Sequence, residues 1–298
     1  MAESNKIQTE LLDIRDNQTI LKEVKHITSL INNQFDFQHI DKAFSDIEKL
    51  FSGGYPGYRD CNTHYHDIRH TLTVFLAMAR LIHGAHLSGC KFSEKEINVG
   101  IISALMHDTG YIQRLDDNTG TGAKYTLIHI SRSIKFIQDY YKENIYFHDH
   151  LNSFDAIVSC TGMSMDIEKI AFSSVNMEII GKILGTADLL AQMADRFYLE
   201  KLIHLFYEFE EARVPGFDSE LDLLRKTINF YSMTKARFEN ILGNVNRYMI
   251  DHFKLRWDLE KNIYDEAIEK NINYLKYVLK SNQKNIHASL RRNTITIQ

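Results

Sequence analysis

Residues 93–111 read SEKEINVGIISALMHDTGY, and this stretch sets the fold class. Ser93 followed three residues later by Glu96 is a capping pattern, in which each side chain satisfies a backbone N–H of the other residue. The spacing predicts a helix from Glu94. An apolar run then carries that helix into Met106, where the chain places His107 and Asp108 side by side. An ionisable pair at the end of an apolar helix is costly to bury without a partner, which favours a ligand role for both residues. The first expectation is a helical core with polar chemistry set inside it.

The flanking sequence reads the same way. Apolar residues recur at helical spacing over 7–34 (Ile20, Val24, Ile27, Leu30 and Ile31 among them), and a second helix is expected over 40–51. SGGYPGYRDCNTHY (52–65) is rich in turn residues and leads into an apolar helix from about His64 to His83. Further helices are expected over 125–142 and about 150–160. Another starts at about Asn176 and carries Asp188, and helical periodicity then continues to about Leu279, broken at VPGFDS (214–219) and near Gly243. The polar tail from Ser281 to Gln298 reads as mobile.

Composition narrows the class further. Of 298 residues, 44% are apolar, enough to bury a large core. Proline occurs only at Pro56 and Pro215, and strand-rich folds need many more Gly/Pro turns, so the chain reads as all-α. Thirty-five basic against 39 acidic residues give a net charge of −4, which excludes a strongly basic nucleic-acid binder but not a small anionic substrate. Three scattered cysteines, Cys61, Cys90 and Cys160, argue against a disulfide framework and for a reducing compartment. The N-terminus is polar and mixed in charge, and no apolar run is long enough to cross a bilayer, so a soluble, cytoplasmic protein is expected. The layout expected is 1–57 as N-terminal helices on the core, 58–215 as the core itself, 216–285 as C-terminal helices of the same domain, and 286–298 as tail.

Chemistry concentrates in three places. In YHDIRH (65–70), His66 and His70 are four apart, which on a helix puts both rings on one face. His107-Asp108 is the second place. The third is Asp188, a carboxylate within GKILGTADLLAQM (181–193), for which a metal cation is one possible partner. Past it, Gln192 and Asp195 fall on roughly the same helical face, where they could line a substrate pocket. His148-Asp149-His150 repeats the His-Asp letters in a polar segment and reads as a solvated helix start. His83 and His86, at a helix end, read as favouring its dipole.

The order His70, then His107-Asp108, then Asp188, each on an apolar helix, resembles the HD-domain metal-dependent phosphohydrolase superfamily over about 58–200. YHDIRHTLTV is most similar to the catalytic domains of 3′,5′-cyclic-nucleotide phosphodiesterases. The resemblance implies an all-α HD-domain bundle in which His70, His107, Asp108 and Asp188 bind one divalent ion, with Mn, Fe, Mg, Ni and Zn not distinguished. It implies that His66 is the proton donor to the leaving oxygen. It places His129 at a second metal or at a water, while Cys160-Thr161 stands where a later histidine completes a second site in dinuclear relatives. Arg132, one turn beyond His129, is weakly expected to meet phosphate.

Two imidazoles and two carboxylates leave positions open on a six-coordinate ion, and water bound there is acidified toward neutral pH. The expected activity is hydrolysis of a phosphomonoester or phosphodiester, with a nucleotide as the expected small phosphorylated partner. No membrane and no extended nucleic acid is expected as partner, and homodimerisation is left open. The base-recognition pattern of the cyclic-nucleotide enzymes is not found, since Tyr207, Phe209, Phe230, Tyr231 and Phe238 read as core. Alternatives are an HD-like iron oxygenase, which needs a second iron, and a non-catalytic regulatory HD ligand-binding module, which predicts eroded ligands. A purely structural reading would make the same groups paired core residues.

Overall fold

The computed structural model describes residues 11–281 and 286–290. Its α-helices are α1 (Asn17–Ile31), α2 (Gln38–Phe51), α3 (Ile68–Leu87), α4 (Glu94–Met106), α5 (His129–Tyr141), α6 (Leu151–Ser159), α7 (Val175–Ala194), α8 (Tyr198–Glu211), α9 (Glu220–Asn240), α10 (Tyr248–Trp257), α11 (Ile263–Ser281) and α12 (Ile286–Leu290). The described residues contain no sheet, and one isolated antiparallel bridge joins Tyr58 to Arg114. The chain is all-α, as its sequence predicts.

Side-chain caps start the principal helices. Asp16, Asp67, Ser174 and Ser219 each accept a hydrogen bond from the backbone N–H three residues on, and Ser93 with Glu96 forms the reciprocal box. Each such cap is worth about 1 kcal/mol. Helix α3 is buried on nearly every side from His70 to Ala85, so it forms the centre of the molecule. It packs against α1, α4, α7 and α10, and α7 in turn packs against α6 and α11. Gly84 permits the closest of these approaches, since a Cβ there would lie 1.8 Å from the Tyr248 carbonyl oxygen at the start of α10.

Caps also explain where the helices depart from their expected bounds. Residues 13–16 are a loop rather than part of one long first helix, because Asp16 caps α1; residues 7–10 of that expected helix lie outside the described residues. Helix α3 starts at Ile68 and not near His64, because the Asp67 carboxylate caps it through the His70 N–H at 2.7 Å. His66 therefore precedes the helix that carries His70. Residues 286–290, read as part of a mobile tail, form α12, with Leu290 buried and the Tyr274 hydroxyl donating to the Ser289 carbonyl; 291–298 lie outside the described residues. No helix among the described residues is long and apolar enough to cross a membrane.

Candidate metal centre

Four residues from three helices and one turn meet beside the first turn of α3. His70 is fixed there by the Asp67 cap, His107 ends α4, Asp108 opens the 3-10 turn Thr109–Tyr111, and Asp188 projects from α7. His70 Nε2 lies 3.3 Å from Asp108 Oδ2 and 3.2 Å from Asp188 Oδ1. His107 Nε2 lies 3.2 Å from Asp108 Oδ2, 3.8 Å from Asp188 Oδ1 and 3.4 Å from His70 Nε2. Donor atoms about 2.1 Å from one ion are separated by about 3.0 Å at a right angle and about 3.4 Å at a tetrahedral angle. His70, His107 and Asp108 therefore have the mutual spacing of a ligand shell, and Asp188 Oδ1 lies beside both imidazoles.

Tautomers agree with that geometry. The Ala104 carbonyl, 2.9 Å from His107 Nδ1, can only accept, so Nδ1 carries the proton and Nε2 turns a lone pair toward the carboxylates. Asp108 Oδ2 is buried and has no well-directed hydrogen bond, although both imidazoles are within 3.3 Å of it. A buried carboxylate oxygen without a hydrogen-bond donor is an unmet demand for positive charge. His70, His107 and Asp108 form a buried group that could hold a metal ion.

Without an ion the charges must be balanced by protons. Burial alone would lower the His70 pKa, yet the adjacent Asp108 and Asp188 carboxylates push it up to about 10. For His107, burial is again outweighed, here by the Asp108 charge, and its pKa is raised. Asp108 is held well below the usual carboxylate range by the neighbouring imidazoles, despite complete burial.

A second set of rings borders this cluster. His66 Nδ1 donates to Glu208 Oε2 on α8 at 2.7 Å, and Glu208 Oε1 accepts the Tyr65 backbone N–H at 2.7 Å. Burial would raise the Glu208 pKa, but His66 holds it low. The His66 ring stacks on Tyr111 with centroids 4.2 Å apart, and its Nε2 is 3.4 Å from the Tyr111 hydroxyl. His129 also stacks on Tyr111, at 4.7 Å. The Thr126 carbonyl takes the His129 Nδ1 proton at 2.6 Å, which leaves Nε2 3.9 Å from Asp108 Oδ1. Gly110 makes this possible: a Cβ there would sit 2.0 Å from the His129 carbonyl oxygen, so the His-Asp turn approaches α5 only without a side chain.

Helix α8 fastens both rims of the cluster. Glu208 holds the 64–66 turn, and Glu211 accepts from the Thr121 backbone N–H at 2.5 Å and from its hydroxyl at 2.6 Å. Sequence reasoning missed Glu208, Glu211 and Tyr111. Tyr111 was within reach, since it directly follows the His-Asp turn. No spacing signal links α8 to residues some 140 positions earlier.

The remaining expected residues are bonded elsewhere. Arg132 donates through Nε to the Gly110 carbonyl at 2.7 Å and through Nη2 to the Ile112 carbonyl at 3.0 Å, and its guanidinium lies 3.5 Å from the Tyr125 ring centroid. It braces the turn after Asp108. Gln192 accepts from the Tyr65 hydroxyl at 2.7 Å, and Asp195 accepts from the Phe197 N–H and lies 3.5 Å from Lys201. His148 and Asp149 have side chains 74% and 86% exposed and pair only with each other, as a solvated helix start should. Two cavities of about 240 Å³ lie apart from the cluster, one beside Lys42 and Tyr140, the other beside Lys235 and Asp265.

The model of the Npun_R2479-like family matches residues 55–248. The chain belongs to the Npun_R2479-like family. No curated protein and no solved structure matches the chain. The stretch shared with the Npun_R2479-like family contains His66, His70, His107, Asp108, His129, Asp188 and Glu208, the complete cluster with its flanking rings.

Proposed function

We propose that the protein is a metal-dependent phosphohydrolase of the HD-domain type, with the ion held by His70, His107, Asp108 and Asp188 and with His66 as proton donor. One observation carries the reading: His70, His107 and Asp108 bring donor atoms within 3.2–3.4 Å of one another, and Asp188 Oδ1 lies 3.2 Å from His70 Nε2 and 3.8 Å from His107 Nε2. The order of these residues along the chain, which resembles that superfamily, supports it as well.

A bound divalent ion would supply charge neutralisation at a phosphoryl oxygen and an acidified water. The chain's own groups do the rest. Glu208 occupies His66 Nδ1, so the proton that reaches a leaving oxygen must come from Nε2, beside the Tyr111 hydroxyl. General-acid help of this kind is worth about 10²–10⁴-fold in rate. Arg132 acts indirectly, by holding the backbone carbonyls of Gly110 and Ile112 and with them the turn that presents Asp108. The substrate class is a phosphomonoester or phosphodiester, with a nucleotide as the first compounds to screen.

One observation favours a second reading. His129 Nε2 and Asp108 Oδ1, 3.9 Å apart, offer donors for a second ion, which an HD-like iron oxygenase would require. Metal analysis of the purified protein, followed by a panel of phosphate esters with Mn²⁺, Mg²⁺, Fe²⁺ or Ni²⁺, decides between them. Phosphate release that disappears in Asp108→Ala supports the hydrolase. Oxygen uptake without phosphate release replaces it with the oxygenase, and ligand binding without turnover in any metal replaces it with a regulatory module.

A further inference from the structure

His83 and His252 face one another in the interior, far along α3 from the metal cluster. Both side chains are buried, their rings are perpendicular, and Nδ1 lies 3.0 Å from Nδ1. His83 therefore does more than complement a helix end, the role its sequence position suggests. A nitrogen–nitrogen contact of this length needs one ring to donate and the other to accept. With both rings neutral, a single proton lies between the two facing nitrogens.

A further proton is poorly accommodated at the contact. On the accepting nitrogen it would oppose the donor N–H. At His252 Nε2 it would enter a buried position that has no hydrogen-bond partner. The groups around the pair are mostly basic. From α3 these are Arg80, itself fully buried, and His86; from α1, His26; and from α10, Arg256. The acidic groups nearby are engaged: Glu23 of α1 pairs with Arg256, and Asp251 of α10 accepts from the Ser88 hydroxyl. Tyr264 of α11 accepts from Arg80. Burial, followed by Arg256, lowers the His83 pKa to about 4, and burial with Arg80 holds His252 well below its ordinary value. In a loosened chain both would titrate near the ordinary histidine value of about 6.5.

Helix α10 brings His252 to α3. It has ten residues, of which Tyr248, Met249, His252 and Phe253 are buried, while Leu255 and Ile250 face outward. Both ends are set by left-handed residues, Asn244 before the preceding turn and Asp258 at the C-terminus. We propose that α10 is an acid-released latch on α3, with the His83–His252 contact as its trigger. The sign follows from the lowered values. The latch is at full strength above about pH 6.5 and loses strength as the pH falls from there toward 4.

The test is amide hydrogen exchange over residues 248–257 at about pH 7.5 and about pH 5.0, corrected for the intrinsic pH dependence of exchange. Protection of α10 in the intact protein is expected to fall about tenfold or more at the lower pH, relative to α4 and α7. In a His83→Leu/His252→Phe protein the fall should be less than about twofold. An unchanged α10 in the intact protein, or an equal fall in the double variant, overturns the proposal. Should the double variant not fold, nitrogen NMR of the unmodified protein decides. Two imidazoles that stay neutral in the folded form down to about pH 5 support the latch, and either ring charging near pH 6.5 with the fold intact rejects it.

Discussion

Glu208 and His66 meet at 2.7 Å, a carboxylate oxygen accepting the imidazole Nδ1 proton across 142 positions of sequence. The other oxygen of Glu208 takes the Tyr65 backbone N–H. One side chain thus fixes both the ring and the turn that carries it. Glu208→Gln keeps the volume and removes the charge. It is expected to retain metal while turnover falls about 10–100-fold, the usual cost of losing a group that orients an active imidazole. Metal content and steady-state rate, measured on the same preparation, check this; parallel loss of both would assign Glu208 to the ligand shell instead.

Removing His66 and removing Asp188 should have opposite consequences. His66→Ala is expected to keep its ion and lose about 10²–10⁴-fold in rate. Asp188→Ala is expected to lose the ion itself, because Asp188 Oδ1 is 3.2 Å from His70 Nε2 and 3.8 Å from His107 Nε2. Elemental analysis after gel filtration distinguishes the two. A metal-free His66→Ala protein would make that residue a ligand.

His148→Ala should change neither rate nor metal content, and its stability should stay within about 0.5 kcal/mol of the parent, as expected for a solvated side chain. An inactive, well-folded His148→Ala protein would show that the other His-Asp pair is the functional one.

Metal binding should strengthen as pH rises. Asp108 and Asp188 push the His70 pKa up to about 10 despite burial, so at neutral pH the ion must displace a proton. For the metal-free protein the sign is the reverse. The stabilisation from the charged pairing is complete below about pH 6.5 and is lost as pH rises through about 10. Titration calorimetry with Mn²⁺ at about pH 8, in two buffers of different ionisation enthalpy, should show release of about one or two protons per ion. Binding without proton release would contradict the assigned protonation state.

Gly110→Ala should destabilise the protein by about 1–3 kcal/mol, the cost of forcing an extra carbon into a packed site. The new Cβ meets backbone, the His129 carbonyl oxygen at 2.0 Å and the Ser133 nitrogen at 2.9 Å, and neither can move without shifting α5. Thermal unfolding measures the loss. An unchanged midpoint would mean that the turn after Asp108 adjusts more freely than its contacts with α5 allow.

Much of this architecture was legible in the sequence because its signals are local. The Ser93–Glu96 box starts α4 where expected, and the unbroken apolar stretch around α3 places that helix at the centre. The His70, His107, Asp108 and Asp188 side chains stand out because charged residues on apolar helices need an explanation. The start of α3 was misplaced because Asp67 reads equally well as a helical residue and as a cap, and only the His70 N–H contact decides between them. The roles of Glu208, Glu211 and the His83–His252 pair were not legible, since each depends on a contact between segments at least 90 residues apart. A cation one turn past His129 suggests phosphate, and the bonds Arg132 makes to backbone carbonyls of the neighbouring turn leave no local signal in the sequence.

Two segments of the chain hang from a single rod. Glu208 holds the 64–66 side and Glu211 the 119–122 side, three residues apart on α8. One helix thus ties together two segments that are separate in sequence, so displacing α8 would release the 64–66 turn and the 119–122 loop at once.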